Sequence, residues 1–244
     1  MKVFWSRTML CALMVLLIRI LIPAKEQNVT QITRTKRGLL TNWDLTTILT
    51  SEAKSSPTAV PICAPEMFLA YFDWASSTGP YSLKLVNLTA LHFDVRTLCG
   101  PNSAGYQDGS ASVAEFNGPM GLDISSDCSW LAVADTANNM IRRVEIASGA
   151  VSTIAGSTNG GYKDGTGVDA QFNYPYAVII SPDRSTLYVS DTISNVLRKI
   201  DLSSTSVTTV AGAARGSFPF FIGGYQDGIA TNAAFNQPMV LDEY

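Results

Sequence analysis

Five aspartates recur at fixed places along this 244-residue chain, and they are the side chains best suited to chemistry. Asp108, Asp164 and Asp227 each precede a glycine, namely Gly109, Gly165 and Gly228. Asp135 and Asp191 each close an apolar run shortly before Asn138 and Asn195. Carboxylates so placed could transfer protons or hold a calcium ion. A structural use is the stronger reading, because an aspartate ahead of Asn or Gly bonds nearby backbone amides and closes turns. An enzyme site also breaks symmetry, whereas these carboxylates fall once per unit with no asymmetric cluster of acids or histidines. His92 is the single histidine. That count excludes metal sites needing two or three imidazoles, and any Ser-His-Asp machinery that does not use His92. The pattern calls for no catalytic residue, no metal and no cofactor.

The elements that position these aspartates are repeated. Residues 106–156 lie over 162–212 without a gap, with 22 identities in 51 positions. Matched landmarks include Phe116-Asn117 with Phe172-Asn173, Pro119 with Pro175, Asp135 with Asp191, and Arg142 with Arg198. A degenerate copy covers about 57–100: Pro57–Asp73 aligns with Pro175–Asp191, and Val95–Gly100 with the two closing Ala-Gly segments. A partial copy runs over 225–244, and Thr46-Thr47-Ile48 echoes a still earlier closing strand.

Each full copy reads as about four short strands. Leu131–Ala134 and Leu187–Ser190 alternate large with small, Val144–Ile146 and Ile200–Leu202 alternate apolar with acidic, and Val151–Ile154 and Val207–Val210 are β-branched. Turn residues separate them, and no helical apolar stripe follows residue 40. Tandem four-stranded antiparallel units predict an all-β chain of β-propeller blades; a β-solenoid has shorter coils. Tyr-x-Asp-Gly is expected to supply the turn that sets each blade against the next. Phe116 and Phe172 are expected to fill the space between blades.

The units resemble the NHL repeat, on Asp108-Gly109, Ala114, Phe116-Asn117, Pro119, Gly121, Val133-Ala134-Asp135, Asn138, Ile141-Arg142 and Val151–Gly156, and on the matching residues of the second copy. The resemblance spans roughly 43–244. The tripeptide that names the family appears as Asn138-Asn139-Met140 and Ser194-Asn195-Val196. The resemblance implies a propeller whose Pro residues lead into inner strands. It raises two enzyme alternatives. Peptide-amidating lyases of this architecture need several histidines at zinc, which His92 alone cannot provide. Calcium-dependent hydrolases of the lactonase type hold their metal in the central channel, in blades this chain would lack.

Propellers close with about four to eight blades. Two good units, one poor one and partial ones fall short of that. Tyr244 lies inside a unit, which favours a truncated chain over a ring completed by self-association.

Residues 1–24 read as a signal peptide, with Lys2 and Arg7 ahead of an apolar Met9–Ile18 stretch that Arg19 interrupts. An uncleaved membrane anchor is the alternative. Cleavage removes Lys2, Arg7 and Arg19 and no acid, leaving a net charge near −6. No nucleic-acid partner is expected for such an acidic chain. A linker occupies 25–42, and Arg34–Arg37 reads as a processing site or as solvated linker. Asn28 and Asn87 head glycosylation sequons, consistent with secretion. Among Cys63, Cys99 and Cys128, one disulfide and one free thiol are expected.

One feature is asymmetric. The connection from Gly212 to Tyr225 is seven residues longer than that from Gly156 to Tyr162, and carries Arg215, Phe218, Phe220 and Phe221. Such a loop on a repeat scaffold is a candidate binding site for a protein or glycan. The expected function is therefore a secreted, non-catalytic binding module.

Overall fold

The computed structural model describes residues 68–74, 81–87, 94–100, 103–217 and 220–241. The expected leader, linker, Asn28 sequon and His92 lie outside them. Three antiparallel sheets follow in chain order. The first is β1 (Phe68–Trp74), β2 (Tyr81–Asn87) and β3 (Asp94–Cys99). The second is β4 (Gly121–Ile124), β5 (Trp130–Asp135), β6 (Met140–Glu145) and β7 (Val151–Gly156), paired in that order. In the third, β8 (Gly165–Thr166) pairs with the last strand, giving the order β8-β12-β11-β10-β9. Here β9 is Pro175–Ile180, β10 Thr186–Asp191, β11 Val196–Asp201 and β12 Ser206–Ala211. The only helices among the described residues are three short 3-10 turns.

The sheets are blades because alternate side chains of one strand serve two neighbours. All six residues of β5 are buried. Leu131 and Val133 join a core with Phe72, Leu83, Leu85 and Phe116 towards the first sheet. Trp130, Ala132 and Ala134 join Val178, Ile180, Leu187 and Phe172 towards the third. Burying each large apolar side chain contributes about 1.5–3 kcal/mol, so neither sheet face is stable in water alone. Phe116 and Phe172 thus fill the two inter-blade spaces, and Phe116 meets Phe72 edge-on with centroids 5.4 Å apart.

Each blade ends in the same device. The pairing of the last two strands slips by a bulge between Leu83 and Lys84, Ile141 and Arg142, and Leu197 and Arg198. A glycine of positive φ follows: Gly100 at +74°, Gly156 at +89° and Gly212 at +90°. A Cβ on Gly156 would lie 2.3 Å from the Asn139 carbonyl and 2.9 Å from Phe172 Cδ2, the ring of the next unit. Phe116 crowds Gly100 and Phe235 crowds Gly212 in the same way. The degenerate first unit therefore keeps the bulge and the glycine seat although its sequence has drifted.

Gly156→Ala is expected to cost about 3 kcal/mol, combining backbone strain with a clash against backbone. Gly167 also has positive φ (+53°), but the nearest atom to its Cβ position is a side-chain oxygen 3.5 Å away. Gly167→Ala should cost only about 1 kcal/mol. Urea denaturation of the two variants checks this, and equal losses would mean that the phenylalanine seat is not tight.

Candidate functional site

Asp135 closes β5 with its side chain fully buried. Its Oδ1 accepts the Asn117 amide at 2.8 Å, and its Oδ2 accepts Arg142 Nη1 at 2.7 Å and Asn138 Nδ2 at 2.8 Å. Arg142, on β6, is equally buried and uses all five N–H groups. Beyond Asp135 they reach the carbonyls of Glu115 (3.1 Å) and Gln107 (3.0 Å), and Asp108 Oδ1 at 2.7 Å and 3.1 Å. Asp108 Oδ2 in turn accepts the Thr153 amide of β7 at 2.9 Å. One guanidinium thus ties the approach segment 107–117 to the middle of its own blade, with the Phe116 ring 5.3 Å away.

The next blade repeats the arrangement. Arg198 Nη1 bonds Asp191 at 3.0 Å and the Gln171 carbonyl at 2.9 Å, and its Nη2 bonds Asp164 at 2.8 Å and the Lys163 carbonyl at 2.9 Å. Asp191 Oδ1 accepts the Asn173 amide at 2.7 Å. Arg198 Nε lacks a partner among the described residues, and the rings of Tyr162 and Phe172 lie 5.2 Å and 5.1 Å from its guanidinium. The first blade holds a weaker version, with Lys84 only 3.8 Å from Asp73 and both partly exposed.

The Asp-Gly pairs do more than close a turn. Gly109 exchanges backbone bonds with Val151 at 3.0 Å and 2.8 Å, and Gly165 belongs to β8 on the outer edge of β12. Asp227 and Gly228 are exposed, next to a bridge between Gln226 and Ala234.

A second set of bonds joins blade to blade. Thr136 Oγ1 donates to the Pro175 carbonyl at 2.7 Å, and Asn139 Oδ1 accepts the Tyr174 amide at 2.9 Å. One unit later Thr192 Oγ1 donates to Pro238 at 2.7 Å, and Asn195 Oδ1 accepts Gln237 at 2.7 Å. Asn139 and Asn195 are both left-handed, at φ +56° and +59°. Asn139, rather than Asn138, is the counterpart of Asn195, as the gapless overlay of the two copies already implies. Asn138 instead bonds Asp135 and the Gly105 carbonyl.

The role of Arg142 and Arg198 was missed from sequence, because an arginine between polar and apolar strand residues reads as a solvated position. Their identity at matched positions was the available signal. The expected binding loop is a two-stranded hairpin, β13 (Arg215–Ser217) and β14 (Phe220–Ile222), with Arg215 opposite Ile222 and Gly216 opposite Phe221. Phe218 lies outside the described residues. Asn87 ends β2. Cys128 is disulfide-bonded, whereas Cys99 is a free thiol whose burial pushes its pKa up to about 12.

Burial pushes the Asp135 carboxyl up to about 6 and that of Asp191 to about 7, against the opposing pull of Arg142 and Arg198. Hydrogen bonds, first from Ser125, Ser181 and Ser203 respectively, hold the surface carboxyls of Asp127, Asp183 and Asp201 down at about 2. A carboxyl raised on folding contributes stability that is full below about pH 4 and is lost as pH rises through its folded pKa. A lowered one contributes above about pH 4 and loses that contribution as pH falls towards 2. The melting temperature is therefore expected to peak near about pH 4–5 and decline on both sides. Asp183→Ala should flatten the acid limb only. A melting temperature still rising from pH 5 to 8 would contradict this reading.

Arg142→Met strands a buried carboxylate and is expected to cost about 3–5 kcal/mol, part of which Asp135→Leu restores in the double variant. Lys84→Met in the first blade should cost less than about 1 kcal/mol. Denaturant midpoints distinguish these outcomes.

No family profile matches the chain. The chain is 31% identical over 134 residues to NHL repeat-containing protein 2 of Bos taurus, covering 51% of this chain and 18% of that protein. It is 39% identical over 97 residues to the Gallus gallus protein of the same name, covering 40% and 13%. The chain thus spans less than a fifth of the length of these curated relatives. A solved structure of a Bacteroides thetaiotaomicron protein of unknown function overlays with a TM-score of 0.51 at 21% identity, over 70% of this chain and 38% of that one. That identity speaks to fold alone. With its repeated units and blade-like sheets, the chain has the all-β fold of propeller blades, and its sequence is similar to that of NHL repeat-containing proteins.

Proposed function

We propose that this chain is a non-catalytic recognition module, exported from the cell, that presents the hairpin Arg215–Ile222 to a protein or glycan. The observation that carries the reading is the state of the repeated carboxylates. Asp108, Asp135, Asp164 and Asp191 are engaged by Arg142, Arg198 and backbone amides, so their lone pairs serve the blades. The hairpin departs from that symmetry. It is an insertion with its own ladder, placed between two units that otherwise connect briefly. Its phenylalanines and arginine are the residue types that dominate recognition surfaces.

The test uses the full chain, immobilised and screened against a glycan array and a panel of secreted ectodomains. Hits are then measured on the variant Phe218→Ser/Phe220→Ser/Phe221→Ser. Binding is expected to fall at least about tenfold, with the melting transition retained. Binding that survives the triple change would remove the hairpin from the account. Chelator-sensitive turnover of an ester or lactone panel would replace recognition by hydrolysis.

A further inference from the structure

Two Asn-Gly dipeptides occur in the sequence, Asn117-Gly118 and Asn159-Gly160. This dipeptide is chemically labile when the backbone is free, because the glycine amide nitrogen can reach the asparagine side chain without a Cβ in the way. The structure gives the two sites opposite environments. Asn117 is half-buried, its amide bonded to Asp135 and its carbonyl accepting the Ala137 amide at 3.1 Å. The Gly118 backbone lies beside the hydroxyl of the buried Tyr81. Both backbone groups of Asn117 are engaged, which fixes the segment at that residue.

Asn159 is exposed, in a bend between β7 and β8. Among the described residues neither its side chain nor the Gly160 amide has a hydrogen-bond partner. Thr158 beside it is also exposed, and the next backbone bond along the chain is that of the Gly161 amide to the Phe172 carbonyl at 2.9 Å.

We propose that Asn159 is a site of spontaneous deamidation through a succinimide with Gly160, and that the fold protects Asn117 from the same reaction. The Gly160 nitrogen attacks Cγ of Asn159 and gives up its proton to water or hydroxide. The Cγ–Nδ2 bond breaks, and the side-chain nitrogen leaves as ammonia. Water then opens the five-membered ring at either carbonyl, leaving aspartate or its isomer linked through the side chain. Oxidation states are unchanged, and water is the only co-reactant. The product adds a negative charge beside the inter-blade contact, because a Cβ on Gly160 would lie 3.1 Å from Asn139 Nδ2.

The test incubates the full folded chain at mildly alkaline pH in heavy-oxygen water, followed by proteolysis and peptide mass mapping. An isoaspartyl methyltransferase provides an independent readout of the isomer. Label is expected at residue 159 at least about tenfold faster than at 117, because the latter must first break its backbone bonds by local opening. Asn159→Gln should abolish the fast product, and prior denaturation should bring 117 up to the rate of 159. Equal rates at both sites in the folded chain would overturn the proposal. So would a folded chain that stays unlabelled at 159 while the denatured chain converts there.

Discussion

The contact between Asp135 and Arg142, repeated as Asp191 and Arg198, is the interaction on which the blades depend. Two charges of opposite sign are removed from water inside each sheet. Burial raises both carboxyl pKa values against the opposing pull of the arginines, and the desolvation of such a pair offsets much of its attraction. The pair is therefore a poor source of net stability, in keeping with buried ion pairs generally. Its effect is to fix position. Once the pair is buried, every remaining donor of the guanidinium needs a partner, and the backbone of the approach segment supplies the carbonyls. The loop that leads into each blade is thereby held to one path.

That path carries the apolar packing with it. The approach segment delivers Phe116 or Phe172 onto the glycine that ended the previous blade, so the docked loop and the filled space are one event. Thr136 and Asn139 then grip the chain where it enters β9, and Thr192 and Asn195 hold Pro238 and Gln237 in the same way one unit on. The first blade shows how far the scheme can relax. Lys84 replaces arginine, the contact to Asp73 lengthens to 3.8 Å, and both groups meet water, yet the bulge and the glycine persist. Backbone geometry has outlasted the charge chemistry.

Much of this was legible in the sequence. A gapless repeat with period-two alternation fixes short antiparallel strands, and Phe116 and Phe172 read as inter-blade residues because large apolar groups recur between turns. The aspartates read as structural from their symmetry. The arginines did not, since burial of a cation is improbable until its partners are known, and those lie 7 to 35 residues away. Asn138 and Asn139 adjoin, and the overlay that sets Asn139 on Asn195 is the sequence signal for its task, which the left-handed conformation of Asn139 and Asn195 bears out. The Asp-Gly pairs read as turns since residue type reports local φ, while their edge pairing with β7 and β12 is a long-range contact. Two phenylalanines of the long connection fall on a hairpin strand, which turn-rich composition did not announce.

The central claim is that the repeated carboxylates are structural clamps that make the approach loops part of the blades. Native-state amide hydrogen exchange tests it most directly, read at the four amides that donate to them: Asn117, Asn173, Thr153 and Thr209. The account expects the loop amides of Asn117 and Asn173 to be protected as strongly as the central strand amides of Leu131 and Leu187, opening only with the whole blade. Fast exchange at Asn117 and Asn173, with the strands still protected, would mean that the loops move freely over a blade that stands without them. The carboxylates would then be open to another use.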